Sequence, residues 1–291
     1  MITLFLMSKK GLLVLESLIN NGYTDIIDKV VCARDTSIPN DYYEEIKNTC
    51  QENKILFYDK SERYRVSSKF AFAISWRWIL KLNKAKLIIF HDSLLPKYRG
   101  FNPLVSCLLN REKEIGVTAL FASKEFDTGP IIMQSSSRIS YPIKLSKAID
   151  VISKNYIVLC LEMASKIKCN IEIDSEPQDE NKATYSIWRD EEDYRIDWNQ
   201  SADDICLHVD SLGYPYLGAS CYIDGKKIRV FEVEKYENLN IENRMPGKLI
   251  LKKRGLPVVV CGEGLIKIKS AVYADSKEPV FPTKKYRLRF T

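Results

Sequence analysis

The chain of 291 residues contains two histidines, His91 and His208, and one of them stands where an imidazole is useful. His91 follows a short apolar run, 86–90, and opens the loop His91-Asp92-Ser93-Leu94-Leu95-Pro96-Lys97-Tyr98-Arg99-Gly100. The run is too short for a helix and reads as a buried strand. His91 therefore falls at a strand's carboxyl end, where open α/β sheets place their ligands. Pro96 and Gly100 shape the loop, because proline fixes φ and glycine permits positive φ. Downstream, Asp127-Thr128-Gly129-Pro130 is a turn signal after a second strand-like run, 115–121. An unperturbed imidazole titrates near neutrality, which suits it to proton transfer at a nucleophilic amine, and a carboxylate beside it orients the ring. The residue types alone leave a plainer alternative open, a histidine in a polar loop and an aspartate serving as a turn residue.

These stretches, with Gly116-Val117-Thr118 between them and Ile131 after the turn, resemble the folate-dependent formyltransferases. That family includes methionyl-tRNA, glycinamide ribonucleotide and bacterial nucleotide-sugar N-formyltransferases. The resemblance runs from the first strand to about residue 230. It implies His91 as catalytic base, Asp127 as its partner, and N10-formyltetrahydrofolate as co-substrate with no metal. One position departs from the family. The motif carries Asn-x-His, and here Ile89 stands two residues before His91. Loss of one such oxyanion donor typically costs about 100- to 1,000-fold in rate. Ser93, Asn102 or a backbone N–H are the candidate replacements.

Other residues are expected around this pair. Ser75-Trp76-Arg77-Trp78-Ile79-Leu80 follows another strand end, and two tryptophans beside an arginine can wall a flat heterocycle and grip an anion. With the resemblance counted, Trp76, Arg77, Trp78, Ile79, Leu94, Pro96 and Asp127 are expected at the cofactor. Ser8, Lys9 and Lys10, in the turn between the first strand and helix, form a phosphate-friendly opening. Those three, with Arg77, Arg99, Gly100, Asn102, Tyr216 and Tyr222, are expected to contact the acceptor. His208 reads as structural, having no partner of obvious chemistry at helical spacing.

Strands at 2–7, 26–32, 54–58, 70–74 and 86–90 alternate with helical patterns at 12–21 and 39–50, which implies a Rossmann-like, mostly parallel sheet with helices on both faces. No G-x-G-x-x-G opens the first helix, so the dinucleotide fingerprint is absent. Residues 145–168 form a long packing helix, and 175–182 read as a polar linker over the surface. Domains are expected at 1–182 (catalytic), 183–200 (a connecting segment with Ile196-Asp197-Trp198) and 201–291 (small and β-rich). Asp224-Gly225 marks a hairpin in the last of these.

Composition narrows the partners. The 44 basic and 38 acidic residues give a net charge of +6, compatible with a nucleotide diphosphate and weak for a nucleic-acid binder. Eight scattered cysteines with no C-x-x-C pair argue against zinc and for a reducing cytoplasm. No secretory leader and no membrane span is expected. The expectation is formyl transfer to a nucleotide-linked amino sugar, in the branch making dTDP-amino-dideoxysugars for O-antigen or another surface polysaccharide, by a possible homodimer. The alternatives are a methionyl-tRNA formyltransferase, or an impaired relative that binds folate or nucleotide sugar without turnover. A glycinamide ribonucleotide formyltransferase would not need the second domain.

Overall fold

Strands rich in apolar residues on both faces belong inside a parallel sheet covered on each side, and the first strand is of that kind. The computed structural model describes residues 1–82 and 84–291. In chain order the elements are β1 (Ile2–Leu6), α1 (Ser8–Asn20), β2 (Ile27–Cys32), α2 (Tyr43–Glu52), β3 (Phe57–Asp59), β4 (Phe70–Ile74), β5 (Lys86–His91), β6 (Arg99–Gly100), α3 (Pro103–Leu109), β7 (Glu114–Phe121), β8 (Ile131–Arg138) and α4 (Leu145–Lys168), then β9 (Tyr185–Ser186), α5 (Ala202–Leu212), β10 (Ala219–Ile223), β11 (Lys226–Tyr236), β12 (Leu249–Lys253), β13 (Leu256–Val260) and β14 (Leu265–Tyr273). Every residue of β1 and β4 is buried.

The chain divides into two units. The first holds a seven-stranded sheet in the order β3-β2-β1-β4-β5-β7-β8. Its first five strands run parallel, and β7 and β8 are antiparallel to their neighbours. This is the expected mostly parallel α/β sheet. Strand order reverses between β1 and β4, so the carboxyl ends of those two strands form the crevice where such sheets take ligands. The second unit holds residues 189–291 and two short pieces, 108–111 and 140–146. Its five strands, β10-β11-β14-β13-β12, form an antiparallel sheet over a core that includes Trp198, Ile205, Val209, Ile228 and Phe290. Asp224 and Gly225 both take positive φ at the β10–β11 turn, as the hairpin signal predicts.

Two local expectations are corrected. The third strand does not begin at 54. Lys54 takes φ +56°, and its N–H and that of Ile55 bond back to Gln51 and Cys50, closing α2 with an αL cap. Nor is 175–182 a free linker. Glu176 exchanges two backbone hydrogen bonds with Ile131 (2.7 and 2.8 Å), and residues 184–186 pair with 98–101 through β6 and β9. Two of its polar side chains, Gln178 and Glu180, are bonded to Arg99 of the motif loop rather than left to water. No helix among the described residues is long and apolar enough to cross a membrane.

Candidate active site

His91 ends β5 and is only 7% exposed. Its Nε2 lies 2.8 Å from the Tyr98 carbonyl. A carbonyl can only accept, so Nε2 carries the hydrogen and the neutral ring keeps its lone pair on Nδ1. Nδ1 faces Asp127 Oδ1 at 3.5 Å, a loose contact of the kind that tightens when a substrate is bound. The other oxygen, Oδ2, accepts from the Gly100 N–H at 2.9 Å. One carboxylate thus stands between the imidazole, which it can pair with once Nδ1 is protonated, and the end of the motif loop, to which it is bonded.

Asp127 reaches this position through strained backbone, with φ +56°. Two residues later, a Cβ on Gly129 would stand 1.8 Å from the Phe121 carbonyl oxygen, so the chain passes there only as glycine. Ser8, Ser75, Tyr98 and Asn102 also take positive φ. Non-glycine residues rarely do so, and strain of this kind gathers at functional sites.

Thr118 supports the loop from beneath. It pairs with His91 across β5 and β7, donates its hydroxyl to the Ser93 carbonyl at 2.6 Å, and accepts from the Leu95 N–H and Gln134 Nε2. The Ser93 hydroxyl is buried and donates to the Lys97 carbonyl at 2.7 Å, so Ser93 is withdrawn as a replacement for the family asparagine. The Gly100 N–H is committed to Asp127. The Asn102 amide has no partner among the described residues and remains open. Ile89 pairs with Ala73 and Leu120 in mid-sheet, which explains why a strand-forming aliphatic residue suits this position.

Arg99 corrects an expectation. It is 1% exposed, and its guanidinium is taken up by Gln178 and, bidentately, by Glu180 at 2.7 and 2.8 Å. Its fifth N–H points to the Tyr185 hydroxyl at 3.4 Å, so no donor is left for an acceptor substrate, and the residue holds the strap to the loop instead. Gln178 and Glu180 were not singled out in the sequence, because no local pattern distinguishes them from other polar residues in a surface segment.

At the crevice between β1 and β4, the Ser8 hydroxyl donates to Ser75 Oγ at 3.1 Å. The two lysines expected there as phosphate ligands are engaged. Lys9 pairs with Asp150 at 2.7 Å in an open setting. Lys10 pairs with Asp92 at 2.6 Å, the two side chains 13% and 18% exposed. The Tyr156 hydroxyl donates to the other Asp92 oxygen. Burial alone would raise the Asp92 pKa, but the charge and hydrogen bond of Lys10, with the Tyr156 hydrogen bond, outweigh it and hold this carboxyl below its ordinary range. Burial, then Asp92, drives the Tyr156 phenol well up.

Of the expected cofactor residues, Trp76 belongs to an apolar cluster. Trp76 packs edge-on against Phe5 and Trp78, both at 5.2 Å, and its buried Nε1 has no partner. Arg77 pairs with Asp35 while remaining half exposed. The Lys60 ammonium sits 3.4 Å over the Trp78 ring, and Ile79 is exposed. Trp76 belongs to the same apolar cluster as Leu80, Leu82, Ala85 and Leu87, which line a groove of about 370 Å³ with Phe121 and Ala122. Alternation along β5 puts Leu87, Ile89 and His91 on one face. Leu94 closes over Gly116, where a Cβ would meet its Cδ2 at 2.6 Å, and the Pro96 carbonyl accepts from Thr184 N–H.

Phe101 and Phe126 were missed by the sequence reading. They are 52% and 63% exposed, with ring centroids 6.2 Å apart, and each adjoins one partner of the Gly100–Asp127 hydrogen bond. Tyr216 and Tyr222 belong to the second unit. There the Tyr222 ring lies 5.8 Å from the Arg195 guanidinium and 5.5 Å from Lys227 Nζ. His208 contacts the Tyr194 carbonyl at 3.3 Å, and burial lowers its pKa. No group of three or more His, Cys, Asp or Glu among the described residues could hold a metal ion.

Residues 64–148 match the family described as Formyl transferase, and residues 189–280 match Formyl transferase, C-terminal domain. A methionyl-tRNA formyltransferase of Streptococcus agalactiae is 31% identical over 185 residues, covering 62% of this chain and 56% of that protein. The chain thus spans little more than half the length of this relative. Among solved structures, an N-formyltransferase from Helicobacter canadensis, in complex with folinic acid and dTDP-3-aminofucose, superposes with TM-score 0.70 at 18% identity, covering 92% of this chain and 98% of that one. HypX from Aquifex aeolicus gives 0.64 at 20% identity over 97% of this chain and 47% of its own. At these identities the likeness shows a shared fold.

Proposed function

The chain belongs to the formyl transferase family, and from that premise we propose that it transfers a formyl group from N10-formyltetrahydrofolate to the amine of a nucleotide-linked amino sugar. The observation that carries the proposal is the His91–Asp127–Gly100 arrangement, a buried imidazole with its lone pair directed at a fixed carboxylate. The groove fits the co-substrate in kind. Its lining is largely aliphatic, with Lys86 among the lining residues, and the apolar cluster that includes Trp76 adjoins it. Trp76, Leu80, Leu82 and Leu87 would hold the flat ring, which when bound supplies an activated formyl carbon. On the protein's side, His91 Nδ1 would take the proton that the attacking amine must lose and return it to the donor nitrogen whose bond to the formyl carbon breaks. Asp127 stabilises the resulting imidazolium and keeps the ring from turning. Ser8, Ser75 and Arg77, at the strand-order reversal, are the residues proposed for the acceptor's phosphates.

The dTDP amino sugar is favoured because a structural neighbour of nearly equal length was solved with dTDP-3-aminofucose. With it go a cytoplasmic location, a homodimer, and a product destined for a surface polysaccharide. A second reading, formylation of aminoacyl-tRNA, is favoured by the Streptococcus agalactiae relative. A mass-spectrometric assay with N10-formyltetrahydrofolate, a panel of dTDP-, UDP- and GDP-linked amino sugars and methionyl-tRNA separates the two. One added formyl group on one sugar is the expected result. Formylation of the tRNA alone would replace the proposal with the second reading, and binding of folate with no product would leave an impaired relative.

Asn102 is proposed as the donor that stands in for the family asparagine absent at Ile89. Asn102→Ala is expected to lower kcat by about 100-fold, the low end for losing one oxyanion donor. A variant within threefold of wild type would remove Asn102 from this role.

A further inference from the structure

All four hydrogen-bonding positions of the Gln178 side chain are filled. Nε2 donates to the Asp127 and Gly129 carbonyls, both at 2.7 Å. Oε1 accepts from Arg99 Nε at 3.0 Å and Nη2 at 2.8 Å. The orientation of the amide is unambiguous, because carbonyls only accept and a guanidinium only donates. Gln178 therefore joins three things that sequence keeps far apart: the strained turn carrying Asp127, the buried arginine of the motif loop, and the strap. We infer that Gln178 is a positioning residue, holding the Asp127 carboxylate at the distance from which it serves His91. The inference deepens the proposed function and, for its kinetic part, rests on it.

The reasoning runs through the backbone. Asp127 sits at φ +56°, a conformation that neighbours must impose. The amide of Gln178 grips the carbonyls on both sides of Thr128, which fixes the turn on one side. On the other side the Gly100 N–H holds the carboxylate, and Gly100 follows Arg99, the residue that Gln178 also engages. One side chain thus sets both ends of the contact on which Asp127 depends. A misplacement of about 1 Å in a catalytic group can cost about 100-fold in rate, so a residue that never touches substrate can still govern kcat.

Two variants of the chain test this. Gln178→Glu keeps the acceptors for Arg99 and removes both donors to the carbonyls. Gln178→Met keeps the length and removes all four bonds. Amide hydrogen exchange at Gly100 reports whether Asp127 still accepts from it, while the β1 and β2 amides of Leu4 and Val30 report general stability. In both variants the Gly100 amide is expected to exchange about five to ten times faster, the equivalent of one hydrogen bond, with Leu4 and Val30 unchanged. Turnover is expected to fall by about 10- to 100-fold in kcat with acceptor KM within about twofold, the signature of lost geometry rather than lost binding. Unchanged exchange at Gly100 would overturn the inference, as would a loss of protection shared by Leu4 and Val30, which would make Gln178 merely structural. Wild-type kcat in Gln178→Glu would overturn it too. If the wild-type chain formylates no acceptor, the functional reading fails, and exchange at Gly100 still decides whether the clamp exists.

Discussion

His91→Gln is expected to lower formyl transfer by about 100- to 10,000-fold, the range that a positioned general base contributes. Glutamine is the informative replacement. Its amide N–H can still donate to the Tyr98 carbonyl, which in the wild-type chain receives the Nε2 hydrogen at 2.8 Å. The loop's internal bond is thus largely kept, while the basic nitrogen facing Asp127 is lost. The loss should fall on kcat with KM little changed, because the interaction removed operates only while the proton moves. Thermal unfolding followed by circular dichroism should stay within a few degrees of wild type. Activity within tenfold of wild type in a folded variant would show that some other group takes the proton.

Asp127→Asn offers a contrast with that variant. The neutral amide can still accept from the Gly100 N–H, but it gives up the charge that stabilises the imidazolium. Comparing the two separates the base from the group that supports it.

The sequence made some of this site legible and hid the rest for a definable reason. His91, Asp127, Gly100 and the loop between them lie in contiguous motifs, where residue type and spacing carry the chemistry. The parallel sheet was legible from alternating apolar runs and helical patterns. What could not be seen was how the motif residues would be engaged by residues distant in sequence. Arg99 was expected to contact the acceptor because it lies in the motif loop that carries the family resemblance. It proved to be buried against Gln178 and Glu180, both some eighty residues later. Lys10 looked like a phosphate ligand because it lies at the opening of the first helix, and it pairs with Asp92. Both are cations whose partners are decided by tertiary packing, which local propensity does not encode. The strap was misread because its residues are mostly exposed and polar, so its composition matches a linker while its backbone is bonded to the loop.

Lys10→Met carries the largest expected effect on stability, and pH gives it a distinctive signature. Asp92 lies in the loop next to His91, 18% exposed, with Lys10 on one oxygen and the Tyr156 hydroxyl on the other. Removing the lysine leaves a largely buried carboxylate facing only a phenol. Breaking a buried pair in this way typically costs about 3–5 kcal/mol. In a chain of this size that should lower the first unfolding transition by about 6–20 °C. The wild-type Asp92 pKa is depressed in the folded state. Its contribution is therefore fully present above the unfolded carboxylate value of about 3.9, and it is lost as pH falls through the lower folded value. In Lys10→Met the balance reverses, because burial is no longer opposed by a cation, so Asp92 protonates at higher pH and ceases to need one. The gap in melting temperature between wild type and variant should be widest near pH 7 and narrow as pH falls, first above about 4 as Asp92 protonates in the variant and then below it as the wild type loses its own contribution. Lys10→Met/Asp92→Asn should recover much of the loss at pH 7, since a neutral amide carries no unpaired charge. A gap that stays constant across this pH range, or a double variant no more stable than the single one, would mean that Lys10 acts by packing against Tyr156, whose ring lies 5.3 Å from its Nζ, and not through Asp92.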